Sequence, residues 1–358
     1  MIVLCQTNTN TNTNTHTMNL TKYNNKGNVG LVNIGNTCFL NSCIQALSHT
    51  FELNELLDNV KTIKKVHESV ITHEWNALRK LIWANNDISI SPNKFVHNVQ
   101  QLAHVKGKEL FTGWSQNDMS EFLIFMIDCM HESISRPVHI RISGKSEHGV
   151  DTLALDCYNM LKTTYAKEYS EIMELVYGIY VSEITSIDGK IKHASKSESF
   201  FVLDLPIPVK PNISIYDCFD AFTRSETLSG DNAWLNEKTG KKEDVGKRMT
   251  FWNFPKILVI TLKRFSGNGK RKMNDMVSYP LNDLNLSPYV TGYNPQSYKY
   301  ELYAVCNHIG NVRGGHYTAF ARKSTNEWVH FNDQHVNVMD PVNIVTPMAY
   351  CLFYRKKI

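Results

Sequence analysis

The 358-residue chain carries 38 basic and 34 acidic side chains, a net charge of +4, and 42% hydrophobic residues. So mild and mixed a charge gives no reason to invoke a nucleic-acid or membrane surface as partner, and the length allows one extended domain or two or three packed subdomains around a large core. No stretch reaches the length of a membrane-crossing helix, and the opening MIVLC is too brief for the apolar core of a signal peptide. The expectation is therefore an intracellular protein, cytoplasmic or nuclear, whose eight cysteines, lacking any paired spacing, are thiols.

Residues 7–17, TNTNTNTNTHT, alternate polar residues with no apolar half, so burial cannot offset the entropy of ordering them, and residues 1–26 read as a disordered tail. From Val29 to about His131 the pattern is helical. Phe39, Leu40, Cys43, Ile44 and Leu47 make one apolar helix face. In NDMSEFLIFMIDCMHE (117–132), Met119, Phe122, Leu123, Met126, Ile127 and Met130 recur at intervals of three and four, which marks a core helix. The basic run KTIKK (61–65) reads as a solvated helix face and NGKRK (268–272) as the tip between two strands. Segments 137–150 and 285–298 read as surface loops.

Beyond about residue 175 the texture changes to short β-rich runs closed by Gly, Pro, Asn or Asp, among them SFFVLDLPIPV, PKILVITLKRF, YELYAVCNHIG, HYTAFARK, EWVHFND and AYCLFYRK. A helical first half followed by an antiparallel second half makes an α+β fold. Such a fold can set a helix N-terminus against a sheet edge.

Two stretches carry chemistry. In NIGNTCFLNSCIQAL (33–47), Cys38 follows a Gly-Asn-Thr turn and opens the helical run. A free cysteine is usually a small core residue, but one at a helix N-terminus meets unpaired N–H groups and the positive end of the dipole, which favour thiolate. A nucleophilic thiol needs a base, and the base an orienting group. NVRGGHYTAF sets His316 after two glycines at the mouth of a strand, and EWVHFND ends a second strand with Asn332 and Asp333. If those strands pair as a hairpin, Asn332 lies beside the far nitrogen of His316 and fixes its tautomer, completing a Cys-His-Asn arrangement.

These residues carry a family resemblance. GLVNIGNTCFLNSCIQAL resembles the cysteine box of the ubiquitin-specific proteases, the papain-like cysteine deubiquitinases, and NHIGNVRGGHYTAF with EWVHFNDQHV resembles their histidine box. GWSQNDMSEFLIFMIDCMHE is similar to the family's glutamine-aspartate helix, and FPKILVITLKRF and AYCLFYRK to its palm strands, so that the likeness runs from Val29 to Tyr354. It implies a papain-like cysteine protease domain over 27–358, with a helical thumb to about 165 and an antiparallel β palm and fingers over about 166–358. It further implies hydrolysis after the C-terminal glycine of ubiquitin, ubiquitin and ubiquitinated proteins as partners, and no cofactor. A catalytically weak ubiquitin-binding module and a protease for another ubiquitin-like modifier are the alternatives.

Carried over residue by residue, the resemblance makes Cys38 the nucleophile, His316 the base and later acid, and Asn332 the orienting group. Asn33 becomes the oxyanion donor together with the Cys38 N–H, a contact typically worth about 3 kcal/mol. Asp333 reads as a second acidic residue near the histidine or as a turn cap, and Asn36 as turn chemistry. For a tail ending Leu-Arg-Leu-Arg-Gly-Gly, Asp118 and Glu121 would supply carboxylates, Gln116 backbone hydrogen bonds, and Gly315 and Tyr317 the walls of a glycine slot. Asp118 also reads as a helix N-cap. The positions where relatives hold a structural zinc are Ile187, Lys190, Asn236 and Thr239 here, and His193 is a lone candidate nearby, so no metal is expected.

Overall fold

A computed structural model of the chain describes residues 1–6, 18–84, 89–265 and 271–357. The Thr/Asn repeat at 7–17 and most of the NGKRK run lie outside the described residues. The first half builds a helical layer: α1 (Cys38–Ser48), α2 (Phe51–Asp58), α3 (Ser69–Ile82), α4 (Asn93–Val105) and α5 (Met119–Ile134). α5 starts where its sequence signals a cap, with Asp118 Oδ1 accepting from the N–H groups of Ser120 (2.8 Å) and Glu121 (3.1 Å). Its Met and Phe stripe is buried as the periodicity requires.

α1 departs from its expected one-sided pattern, because every one of its residues is buried. It is wedged between α5 and the large sheet, so its polar face has no water and must bond inward. Gln45 Nε2 donates to the Val29 carbonyl at 2.8 Å and Asn41 Nδ2 to the Leu31 carbonyl at 3.2 Å, which clips the segment entering the helix along its side.

The opening residues correct the expectation of a disordered tail at both ends. β1 (Val3–Gln6) pairs antiparallel with β2 (Ile140–Ser143), inside the stretch read as a surface loop, and Ile2 is buried against Ala154, Cys157 and Trp252. Tyr23 is buried, its ring 4.5 Å from that of Phe51 and 4.8 Å from Trp83. A few apolar residues flanking the polar repeat are enough to anchor the chain there. The KTIKK run is likewise not a helix face: it links α2 to α3 as irregular backbone, with the Lys64 N–H donating to the Ser133 carbonyl at 2.8 Å.

The chain continues through α6 (Gly149–Tyr165), α7 (Glu171–Val176), β3 (Gly178–Thr185), β4 (Lys192–Phe200), β5 (Val202–Leu205), β6 (Ile213–Ser214) and α8 (Ile215–Thr223). α8 interrupts the half read as strands, and its signal was present as a capping box in which Ser214 and Asp217 bond each other's backbone N–H. There follow β7 (Glu226–Leu228), β8 (Trp234–Asn236), β9 (Lys241–Glu243), β10 (Val245–Asn253), β11 (Ile257–Leu262), β12 (Val277–Ser278) and β13 (Leu284–Asn285). The last strands are β14 (Lys299–Asn311), β15 (Gly314–Arg322), β16 (Trp328–Asn332), β17 (His335–Met339) and β18 (Ala349–Lys356).

An eight-stranded sheet in the order β17-β16-β15-β14-β18-β11-β5, with β13 beside β14, forms the centre. It is antiparallel except where β5 runs parallel to β11. Both faces are covered, and the side-chain period of two sorts them: Cys351 and Phe353 of β18 face the helical layer, while Leu352 and Tyr354 join the core shared with α8. A second sheet, β4-β3-β10-β7, projects beyond it, packed on one face by α6 through Ile179, Val181 and Trp252.

Candidate active site

The pairing of β15 with β16 follows the expected hairpin, with Ala319 opposite Phe331. That register sets Asn332 beside His316, and Asn332 Oδ1 lies 2.7 Å from His316 Nε2. A carbonyl oxygen accepts, so Nε2 carries the hydrogen and Nδ1 is left as the basic nitrogen. Cys38 is the first residue of α1, and its sulfur meets the backbone N–H of Tyr317, the neighbour of His316. The start of α1 and the start of β15, an inner strand of the sheet, thus come together although Cys38 and His316 are 278 residues apart in sequence.

The thiolate expected from the helix end is opposed here. Burial pushes the Cys38 thiol up, and the nearby Asp333 charge adds to that push, outweighing the N–H groups of Tyr317, Phe39 and Cys38 that draw it down. The helix-end N–H groups still act on the sulfur, but the cost of burying its charge is the larger of the two. The consequence is measurable: the rate of Cys38 alkylation by iodoacetamide in the free protein is expected to be low at neutral pH and still climbing above pH ~9. A plateau below neutral pH would contradict it.

Asp333 sits in the left-handed region, φ 49°, at the turn after β16. Its Oδ2 accepts from Asn33 Nδ2 at 3.0 Å and lies 3.9 Å from His316 Nε2, while its Oδ1 accepts from Asn41 Nδ2 at 2.8 Å. It therefore lies near the histidine and also closes a turn. Asn33 Oδ1 accepts from the N–H groups of Gly35 (3.1 Å) and Thr37 (3.0 Å), which shapes the loop before the cysteine and leaves one Nδ2 hydrogen uncommitted to these contacts. Asn36 has the turn role read for it, with φ 55° and its amide on the Trp114 carbonyl.

The residues read as tail-binding divide. Gln116 is taken up within the protein: its Nε2 donates to the Gly315 carbonyl at 3.0 Å and its Oε1 accepts the Gly315 N–H at 2.8 Å. It clamps the strand before His316 in the manner of a ladder partner, a role that no local pattern signals. Asp118 is also engaged, capping α5 through Oδ1 and accepting the Tyr350 hydroxyl at 2.6 Å and that of Tyr317 at 3.5 Å through Oδ2. Glu121 is exposed, and its carboxylate makes none of the hydrogen bonds or ion pairs described, its one bond being that of its backbone N–H to Asp118.

A cavity of about 250 Å³ opens beside this cluster, lined among others by Gln116, Asp118, His308, Arg313, Gly314 and Tyr317. Tyr317 and Gly314 line this cavity, and Gly315 does not. Gly315 instead packs inward, where a Cβ would stand 2.3 Å from the Ile309 carbonyl and 2.5 Å from His308 Nε2. His308, within the quoted histidine block but not singled out, is kept neutral, since burial and Lys272 lower its pKa to about 4.

These contacts separate two mutations that the sequence treats alike. Asp118→Ala removes a cap and strands the Tyr350 hydroxyl, a loss of about 2–4 kcal/mol that thermal unfolding would register. Glu121→Arg disturbs no such contact, so a changed unfolding midpoint there would contradict the geometry.

The four positions read against a structural zinc fall at two hairpin tips, Ile187 and Lys190 between β3 and β4, Asn236 at the end of β8 and Thr239 between β8 and β9. Among the described residues no group of three His, Cys, Asp or Glu is arranged for a metal. The second tip is held by Asn236 Nδ2 (2.9 Å) and Thr239 Oγ1 (3.0 Å) donating to Glu243, and His193 packs its ring 5.9 Å from that of Trp234. All eight cysteines are free.

The family model for ubiquitin carboxyl-terminal hydrolase matches residues 29–354. The chain belongs to that family. It is 35% identical over 343 residues to human ubiquitin carboxyl-terminal hydrolase 2, covering 92% of this chain and 55% of the human protein. It is 33% identical over 347 residues to the Gallus gallus protein of the same name, covering 92% and 93%. The chain thus spans about half the length of the human relative. Among solved structures, the SAGA deubiquitinating module containing Ubp8, bound to monoubiquitin, superposes with a TM-score of 0.71 at 23% identity, covering 97% of this chain and 73% of that one, which shows the same papain-like α+β fold.

Proposed function

We propose that the chain is a thiol-dependent deubiquitinase that hydrolyses peptide or isopeptide bonds after the C-terminal glycine of ubiquitin. The observation that carries this reading is the 2.7 Å contact of Asn332 with His316, next to a helix-initiating Cys38 whose sulfur meets the N–H of the residue after that histidine. In the reaction, His316 Nδ1 takes the Cys38 proton and the sulfur attacks the carbonyl carbon. The oxyanion is held by the Cys38 N–H and the uncommitted Asn33 Nδ2 hydrogen. His316 returns the proton to the leaving amine, and water then hydrolyses the thioester with His316 as base. No cofactor enters any step.

Glu121 and the Asp118 carboxylate supply the negative charge for an arginine-bearing tail. Glu121→Arg is expected to raise KM about fivefold to tenfold for a fluorogenic ubiquitin amide with kcat unchanged. An unaltered KM would remove Glu121 from the tail site. Eight free thiols support a reducing compartment, cytoplasmic or nuclear, as the place of action.

The deciding experiment is incubation with ubiquitin carrying an electrophilic C-terminus. One covalent adduct, lost in Cys38→Ala, supports the enzyme. Binding without an adduct would make the chain a ubiquitin-binding module, and labelling by a different ubiquitin-like probe alone would reassign the substrate.

A further inference from the structure

Asn41 lies one helical turn after Cys38 on α1, buried, and the chemistry above makes no use of it. Its Nδ2 donates to two acceptors at once, the Leu31 carbonyl at 3.2 Å and Asp333 Oδ1 at 2.8 Å. A carboxamide nitrogen suits this, being a neutral group with two hydrogens on one atom. The arrangement leaves Asn41 Oδ1 buried without a partner among the described residues. An unmet buried acceptor is costly, and an apolar residue on this buried helix would avoid that cost, so what the Nδ2 holds is the reason for the residue.

What it holds is Asp333, a strained residue at φ 49° gripped on three sides. Asn41 holds Oδ1, Asn33 holds Oδ2 at 3.0 Å, and the Leu31 N–H donates to its backbone carbonyl at 2.9 Å. Oδ2 thereby stays 3.9 Å from His316 Nε2. His316 has a neutral partner in Asn332, so when it becomes an imidazolium the negative charge facing it comes from Asp333. The same carboxylate orients Asn33, the residue read as the oxyanion donor.

We infer that Asn41 is a positioning residue for the hydrolysis, tying the nucleophile helix to the Asp333 carboxylate so that this charge serves His316 and Asn33. The inference rests on the reading of Cys38, His316 and Asn332 as the catalytic group. Its action is through Asp333, not on the substrate.

The test is a double-mutant cycle on a fluorogenic ubiquitin amide, with thermal unfolding alongside. Asn41→Ala is expected to lower kcat about 10- to 100-fold with KM within twofold. Combined with Asp333→Asn it should be no slower than Asp333→Asn alone, since both remove one device. Because Asn41→Ala also removes two buried hydrogen bonds, the reversed pair N41D/D333N supplies a second arm. It keeps a carboxylate–carboxamide bond between helix and turn but moves the charge away from His316. The reversed pair gives up the donor to the Leu31 carbonyl, so its stability is measured alongside, and in the folded variant kcat should stay depressed.

Restoration of kcat by the reversed pair, or losses that multiply in the double variant, would reduce Asn41 to a structural tie and overturn the inference. Should the native chain turn over no ubiquitin substrate, the proposed function fails and the inference is read on Cys38 alkylation by iodoacetamide. Equal rate changes in the two single variants, with none added in the double, support it. Unequal changes that multiply overturn it.

Discussion

Cys38→Ala is expected to lower turnover of a ubiquitin amide by on the order of 10⁶-fold, to the level of the uncatalysed background, while leaving affinity for ubiquitin intact. The effect is this large because the reaction runs through a covalent thioester, and without sulfur no residue nearby replaces it: the Tyr317 and Phe39 N–H groups that face the sulfur can only donate. The side chain is buried and small, so the fold should tolerate the change. Loss of a thiol here removes little volume, and α1 is supported along its whole length by α5 and the central sheet. Retention of measurable, dose-dependent hydrolysis by the pure variant would refute the assignment of the nucleophile. Loss of ubiquitin binding together with activity would point instead to a disrupted cleft.

The second large effect belongs to Asn33, and the structure specifies how to ask for it. Asn33→Ala would remove the oxyanion donor but also the acceptor for the Gly35 and Thr37 N–H groups, mixing catalysis with loop collapse. Asn33→Asp keeps an acceptor oxygen for the loop and removes only the donor. It is expected to lower kcat by about 10²- to 10³-fold with KM little changed, the signature of an interaction made in the transition state alone. It also sets a carboxylate against Asp333, 3.0 Å away in the native contact, so the two share a proton and activity of the variant should fall as pH rises and that proton is lost. A kcat within threefold of the native value would mean that the oxyanion is held by backbone donors without Asn33.

The contrast between Asp118 and Glu121 shows where local reading runs out. Both are acidic, three residues apart at one helix start, and equally suited by pattern to an arginine-bearing ligand. Asp118 is committed to the helix cap and two tyrosine hydroxyls, one of them from the last strand of the chain, 232 residues away. Glu121 is not. The cap marks Asp118 locally, but its tyrosine partners come from β15 and β18 and no local pattern shows them. Gln116 is a similar case, its amide matched to the backbone of Gly315, 199 residues on.

Other features were local and were legible. The Asp118 cap, the core stripe of α5, the glycine before His316, and the β-rich runs that become β11, β14, β15, β16 and β18 all follow from short-range periodicity or backbone sterics. α8 was equally local, its Ser214–Asp217 capping box lying in plain sight between strands, and it went unread because the surrounding texture was apolar and β-rich. The ends of the tail were misread for the opposite reason. Composition is an average, and the polar repeat masked Ile2 and Tyr23, single residues whose burial depends on pockets made by distant chain.

By itself the amino-acid order determined the α+β class, the helix that begins at Cys38, the strands that carry His316 and Asn332, and the family to which the chain belongs. Those are properties of residue type and spacing over a few turns or one hairpin, where the forces act between near neighbours. Tertiary structure alone decided the burial of the sulfur, the commitment of Gln116 and the tyrosine partners of Asp118, and the grip of Asn33 and Asn41 on Asp333. Each of these depends on desolvation or on a hydrogen-bond partner brought from the other end of the chain, and at Cys38 the burial outweighs the pull of the helix end.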